Sequence, residues 1–163
     1  MLKRLLRREE GSSTIELAVV FPILLLLFVG TAELGRLFYT YTTLAKATKV
    51  GARYLSTQRD MRSADPTKVA AATLRGQRLV VCGNTDSCSG LQPIVPGLDI
   101  SNPATNVKVT MVPSATAITR YVKVEIQAYS FQPGVFNLAS DTGSSSSTFY
   151  FSLAPSIEMR YME

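Results

Sequence analysis

The sequence predicts an α+β protein: one long N-terminal helix with its first half in a membrane, a short second helix, and an antiparallel sheet of three to five strands. Three observations lead there. The run Leu17 to Ala32 contains no charged residue, helical periodicity continues past it as far as Leu55, and the last third of the chain alternates apolar and polar side chains in short stretches. The elements divide into residues 1–11 as a leader, 12–57 as the long helix with about 15–36 in the membrane, and 58–163 as an extracytoplasmic α+β domain.

Composition narrows the function classes. With 163 residues the chain holds one membrane segment and one small domain. Its formal charge is +5, of which the first ten residues supply part through Lys3, Arg4, Arg7 and Arg8 against Glu9 and Glu10. That balance is too mild to argue for a nucleic-acid partner. Histidine is absent, which removes the commonest general base and the commonest metal ligand. Without it a Ser-Lys pair would lead any hydrolase reading, and no serine stands in a nucleophile motif. Asp86 and Asp99 do not make a calcium loop. Nothing calls for a cofactor or a metal, and the chain does not read as an enzyme.

The N-terminus is the most specific region. A basic leader ends at Gly11, Ser12-Ser13-Thr14-Ile15 follow, and Glu16 stands at the mouth of the apolar run. A carboxylate there occupies a costly position, about 2.5 to 3.5 kcal/mol at a bilayer centre and less near the interface, so a cation is expected to pair with it. The arrangement resembles a prepilin, cut after Gly11 to leave Ser12 as the new N-terminus. Leu17 to Ala32 gives about 24 Å of helix against a hydrocarbon core of about 30 Å. The helix makes up the difference by continuing, with Phe38, Tyr39 and Tyr41 at the level of an interfacial aromatic belt and Glu33 and Arg36 spaced to pair at the outer boundary. Pro22, which lacks an amide donor, is a candidate for a local kink. The positive leader places the N-terminus in the cytoplasm and the remainder outside. A cleaved secretory signal, with Gly30-Thr31-Ala32 as its cut site, is the alternative. Against it stand Pro22, Glu16 and the helical pattern that crosses that site.

Beyond the apolar run, Leu37, Tyr41, Leu44, Thr48, Ala52 and Leu55 fall on one side of the helical wheel and Lys46, Lys49 and Arg53 on the other. The first set is expected to face a globular domain and the second to be solvated. Gln58 to Ala64 reads as a polar connection. Asp65-Pro66 is an N-cap followed by a first-turn proline, opening a second helix from about Pro66 to Val81 with Val69, Thr73, Gly76 and Val80 on one face. Cys82 to Asn106, rich in Gly, Pro, Asn and Asp, reads as loop.

Strands are expected where Val107, Val109 and Met111 alternate with Lys108 and Thr110, and where Val122, Val124, Ile126 and Ala128 alternate with Lys123, Glu125 and Gln127. Phe149 to Leu153 and Ile157 to Tyr161 suggest one or two more, separated at Pro155. Asp141-Thr142-Gly143 and Ser144 to Ser147 read as a polar loop between them. The two cysteines, Cys82 and Cys88, lie on the external side, where a thiol pair is free to oxidise. C-x5-C lacks the two further ligands of a structural zinc, so a small disulfide-closed loop is the better reading.

From Gly11 to Leu55 the residues resemble the TadE-like proteins of tight-adherence (Tad) pilus systems, minor pilins or pseudopilins related to type IV pilins. The resemblance rests on Ile15-Glu16-Leu17-Ala18, Pro22, the leucine run, Glu33-Leu34-Gly35-Arg36, and Ala47 with Gly51-Ala52-Arg53. It implies processing by a prepilin peptidase between Gly11 and Ser12 and a subunit-assembly role for Glu16, which would neutralise the free amine of a neighbouring subunit. Other pilin subunits and the assembly machinery are then its partners. The implied location is a bacterial inner membrane, single-pass, and a pilus used in adhesion after assembly. Ser12 stands where phenylalanine is usual in type IV pilins, and Leu17 where Tad major pilins carry tyrosine; both departures favour an accessory subunit. An uncleaved single-pass envelope protein, serving the assembly machine as scaffold or receptor, is the alternative from another class.

Overall fold

A computed structural model describes residues 3–113, 120–134 and 150–161. Helix α1 runs from Lys3–Thr57 with Pro22 inside it. It passes through both Gly11 and the junction between apolar run and domain without a break. A 3-10 turn at Arg59–Arg62 follows, inserting Met61 into the core.

Helix α2, Pro66–Cys82, starts and stops on local chemistry. Asp65 accepts the Thr67 amide at 2.9 Å and the Thr67 hydroxyl at 2.6 Å, and Pro66 occupies a first-turn position where no amide is needed. Gly83 closes the C-terminus in the left-handed conformation, φ 75, donating its amide to Leu79 O at 3.1 Å. Within the expected loop, Pro103–Asn106 forms a four-residue helix, α3.

Strand β1, Val107–Pro113, pairs antiparallel with β2, Arg120–Ile126, and β2 pairs antiparallel with β5, Ser156–Arg160. The register sets Val109 opposite Val124 and Val124 opposite Ile157 on one face. Lys108 stands opposite Glu125, and Lys123 opposite Glu158, on the other. This period-two separation gives the sheet one apolar and one charged side. A separate ribbon joins β3, Ser130–Phe131, to β4, Phe151–Ser152.

The second half of α1 lies against β2, β5 and α2. Leu44, Ala52 and Leu55 are fully buried there with Val80, Val81, Val107, Val122, Val124 and Ile126. Thr48, also fully buried, donates its hydroxyl to Leu44 O at 3.1 Å or Ala45 O at 2.9 Å, so this polar group is satisfied within its own helix. The two helices meet through glycines. A Cβ on Gly76 would lie 2.7 Å from Leu55, and one on Gly51 would collide with Val80. Gln77 ties α2 to the sheet, donating to Val107 O at 2.9 Å in the interior.

Two expectations need correction. Tyr41, placed on the buried side of the wheel, is exposed, and Thr40 is buried instead; the inward face is rotated by about one residue at this level. The strand expected to run through Ala128 ends at Ile126. Ala128 takes φ 53, a left-handed conformation that turns the chain out of the sheet. The Gln127 amide then goes to Asn106 O at 2.7 Å. Phe149 and the loop Asp141 to Ser147 lie outside the described residues.

Candidate assembly site

Between Ser13 and Phe28 the side chains of α1 are exposed all round the helix. Leu26 is 72% exposed and Phe28 74%, and because every position from Ser13 to Phe28 is open, no side of this stretch is packed as a helix folded against its own domain would be. Helix α1 is long and apolar enough to cross a membrane by length and composition. Glu16 sits exposed at the start of this apolar cylinder. Among the described residues the ion pairs are Glu33 with Arg36, Asp60 with Arg75 and Glu125 with Lys123, so none engages Glu16. Gly11 and Ser12 belong to the same helix, Ser12 one turn before Glu16 and therefore on the same face.

At the junction the domain folds back on the helix. Arg36 Nη1 lies 3.9 Å from Glu33 Oε2, and the Arg36 guanidinium stands 5.4 Å from the centroid of the Phe131 ring. Gly134 closes over the same pair: a Cβ there would come within 3.2 Å of Arg36 Nη1 and 3.3 Å of Glu33 Oε1. Beside this contact opens a groove of about 640 Å³ between α1, at Arg36, Tyr39 and Thr40, and two domain segments, Ile94 to Gly97 and Ala128 to Gln132. Burial pushes the Tyr129 phenol above its ordinary value, and the nearby Arg36 charge offsets part of that rise. The sequence signalled only part of this: Glu33, Arg36 and Tyr39 were visible as boundary residues, whereas their cover by residues 131–134 is a long-range contact with no local signature.

Cys82 and Cys88 are joined, with Cα atoms 5.8 Å apart. Their ring caps the end of α2, and the Arg78 side chain donates to Asp86 O within it. A second cavity, about 510 Å³, lies alongside between Leu74, Arg78, Cys88 and Pro103. The ring sits at the end of α2 and is separate from the Gly11, Ser12 and Glu16 group, which lies wholly on α1. Among the described residues no group of three or more His, Cys, Asp or Glu is placed to hold a metal ion.

Residues 11–53 match the family model described as TadE-like protein. The match opens at Gly11, spans the exposed apolar half of α1 with Glu16 and Glu33 to Arg36, and closes just past Gly51 where α1 meets α2. No curated protein and no solved structure matches the chain. The matched segment is thus a single stretch of helix that includes the core positions Leu44, Ala47 and Ala52, and the chain beyond Arg53 lies outside it. This family is structural and points to a Tad pilus-associated protein.

Proposed function

We propose that this chain is a minor pilin or pseudopilin of a Tad-type pilus, cut after Gly11 by a prepilin peptidase and taken from the inner membrane into the pilus, where it helps initiate or cap the fibre for adhesion. The observation that carries the reading is the division of α1: one half exposes apolar residues on every side behind a single carboxylate, and the other half is the spine of a folded domain. A helix of this kind moves from lipid to a bundle of like helices without rearranging its domain. Glu16 supplies the specificity. In lipid or in a packed helical bundle its charge is costly unless a cation pairs with it, and cleavage creates one, the Ser12 ammonium, at the same level on a neighbouring subunit. Misregistered docking leaves both charges unpaired.

The test is Glu16→Ala in the native host. Membrane insertion should persist or improve, incorporation into pili should fall sharply, and Glu16→Asp should recover part of it. Normal piliation with Glu16→Ala would reduce Glu16 to a carboxylate at the headgroup boundary. The second reading, an uncleaved single-pass scaffold or receptor of the assembly machine, draws on the continuity of α1 through Gly11. It requires intact Met1 on the working protein.

A further inference from the structure

The groove at the junction has a definite depth if α1 spans the membrane as proposed, and the inference below rests on that reading. The uncharged run ends at Ala32. Centred in a hydrocarbon core of about 30 Å, its helix of about 24 Å leaves roughly 3 Å to be made up at each end. Arg36 then emerges about 3 Å beyond the hydrocarbon, inside a headgroup layer about 5 to 7 Å deep, and Tyr39 about 7.5 Å beyond it, at the outer edge of that layer. The domain segments forming the opposite wall, Pro96-Gly97 and Ala128 to Gln132, are brought to that layer by their contact with these residues.

The wall chemistry fits a phosphate carrying polyol hydroxyls. Among the described residues its one charged group is Arg36, whose planar guanidinium has more donors than Glu33 and the Phe131 ring engage. Glu33, whose side chain is 13% exposed, is not on the wall, so among the described residues no carboxylate there would receive the ammonium of a zwitterionic headgroup. Tyr39, Thr40 and Ser130 add hydroxyls. Tyr129 donates to Pro96 O at 3.2 Å, leaving its oxygen as an acceptor. Two positive-φ turns shape the site: Ala128 at φ 53, unusual for a residue with a Cβ, and Gly97 at φ 98, which glycine adopts freely, both line the groove. Flanking bonds, Gln127 N to Asn106 O and Leu153 N to Tyr129 O, hold the turn that sets Tyr129 and Ser130 on the wall.

We infer that the groove between Arg36, Tyr39 and the Ala128 to Ser130 turn binds the phosphate of an anionic, glycerol-type phospholipid, seating the domain on the outer face of the membrane before assembly. Charge complementarity and continuity with the apolar span select this occupant. Full-length protein in nanodiscs of mixed phosphatidylglycerol and phosphatidylcholine, released and weighed by native mass spectrometry, should retain one phosphatidylglycerol. Arg36→Gln should cut the retained fraction about tenfold, the loss expected for a charge-assisted hydrogen bond. Arg36→Lys should fall between, and Lys46→Gln, on the exposed stripe of α1, should change nothing. Unchanged retention in Arg36→Gln, or equal retention of phosphatidylcholine, overturns the inference. So does glycerol phosphate binding to detergent-purified protein as tightly as the lipid does, which would make the site one for free phosphate, or a crosslink placing a second copy in the groove. Extraction of the full chain without detergent would instead remove the membrane reading beneath it.

Discussion

Leu24 and Leu44 belong to one unbroken helix, yet Leu24 is 56% exposed and Leu44 is sealed from solvent. Around Leu24 every neighbour on the helix surface is apolar and open. Around Leu44 the buried positions Thr40, Ala47, Thr48, Gly51, Ala52 and Leu55 make a stripe, with Lys46, Lys49 and Arg53 outside it. Apolarity on all sides belongs to a helix whose partner is lipid or other helices, and apolarity on one side to a helix with a domain of its own. The same backbone thus carries two patterns, and the change between Phe28 and Thr40 marks where one gives way to the other.

The sharpest way to break this contrast is to delete the same atoms from each half. Leu44→Ala should destabilise the domain by about 2 to 5 kcal/mol, because the transfer energy and the cavity both count in a closed core. Leu24→Ala should leave domain unfolding within about 0.5 kcal/mol, since its side chain is exposed and outside the core. Thermal unfolding of the detergent-solubilised full chain, followed by near-ultraviolet circular dichroism, reads both. Equal losses would mean that the first half of α1 is part of the domain core.

A smaller effect is expected at the disulfide, which constrains a loop outside the α1 contact. A ring closed over so few residues removes limited chain entropy, so Cys82→Ser with Cys88→Ser should cost about 2 kcal/mol while leaving the fold intact. Protein isolated without reductant should show no free thiol on alkylation. Two free thiols would contradict both the disulfide and the outward placement of the domain.

What the sequence revealed follows the range of the interactions involved. The start of α2 was legible because Asp65, Pro66 and Thr67 settle it among themselves, and β1, the body of β2 and β5 because alternation is a local pattern. The end of β2 was not legible: Ala128 continues the apolar alternation, and only the bond from Gln127 to Asn106 with the turn at φ 53 shows that the strand has stopped. Tyr41 was misplaced because an aromatic ring at a boundary fits either face. At the proposed assembly site, the roles given to Gly11, Ser12 and Glu16 rest on their spacing along one helix, and the structure adds only that they share α1. The cover of Glu33 and Arg36 by Phe131 and Gly134 joins residues far apart in the chain and leaves no trace in composition.

The smallest effect is expected at the N-cap of α2. Hydrogen bonds from the Thr67 hydroxyl, then from the Thr67 and Lys68 amides, hold the Asp65 carboxyl below its ordinary value despite a small opposing effect of desolvation. A carboxyl lowered in the folded state contributes stability above its unfolded value, and loses it as pH falls through the folded one. Glu125 is lowered as well, by Gln127 and Lys123, and acts in the same window. Asp65→Asn keeps the cap but removes the titration. The melting temperature of this variant should fall less steeply than the parent's between about pH 5 and pH 2, with Glu125 accounting for part of the slope that remains.

The measurement that bears most directly on the division of α1 and on its use in assembly is the mass of the N-terminal peptide of protein recovered from membranes and from pili. A chain beginning at Ser12, still membrane-associated before assembly, is the predicted result, since the cut at Gly11 removes the basic leader and keeps the apolar half of the helix with Glu16 one turn from the new amine. A natural N-terminus at Glu33, which would discard that half as a signal, or intact Met1 in assembled material would contradict the account.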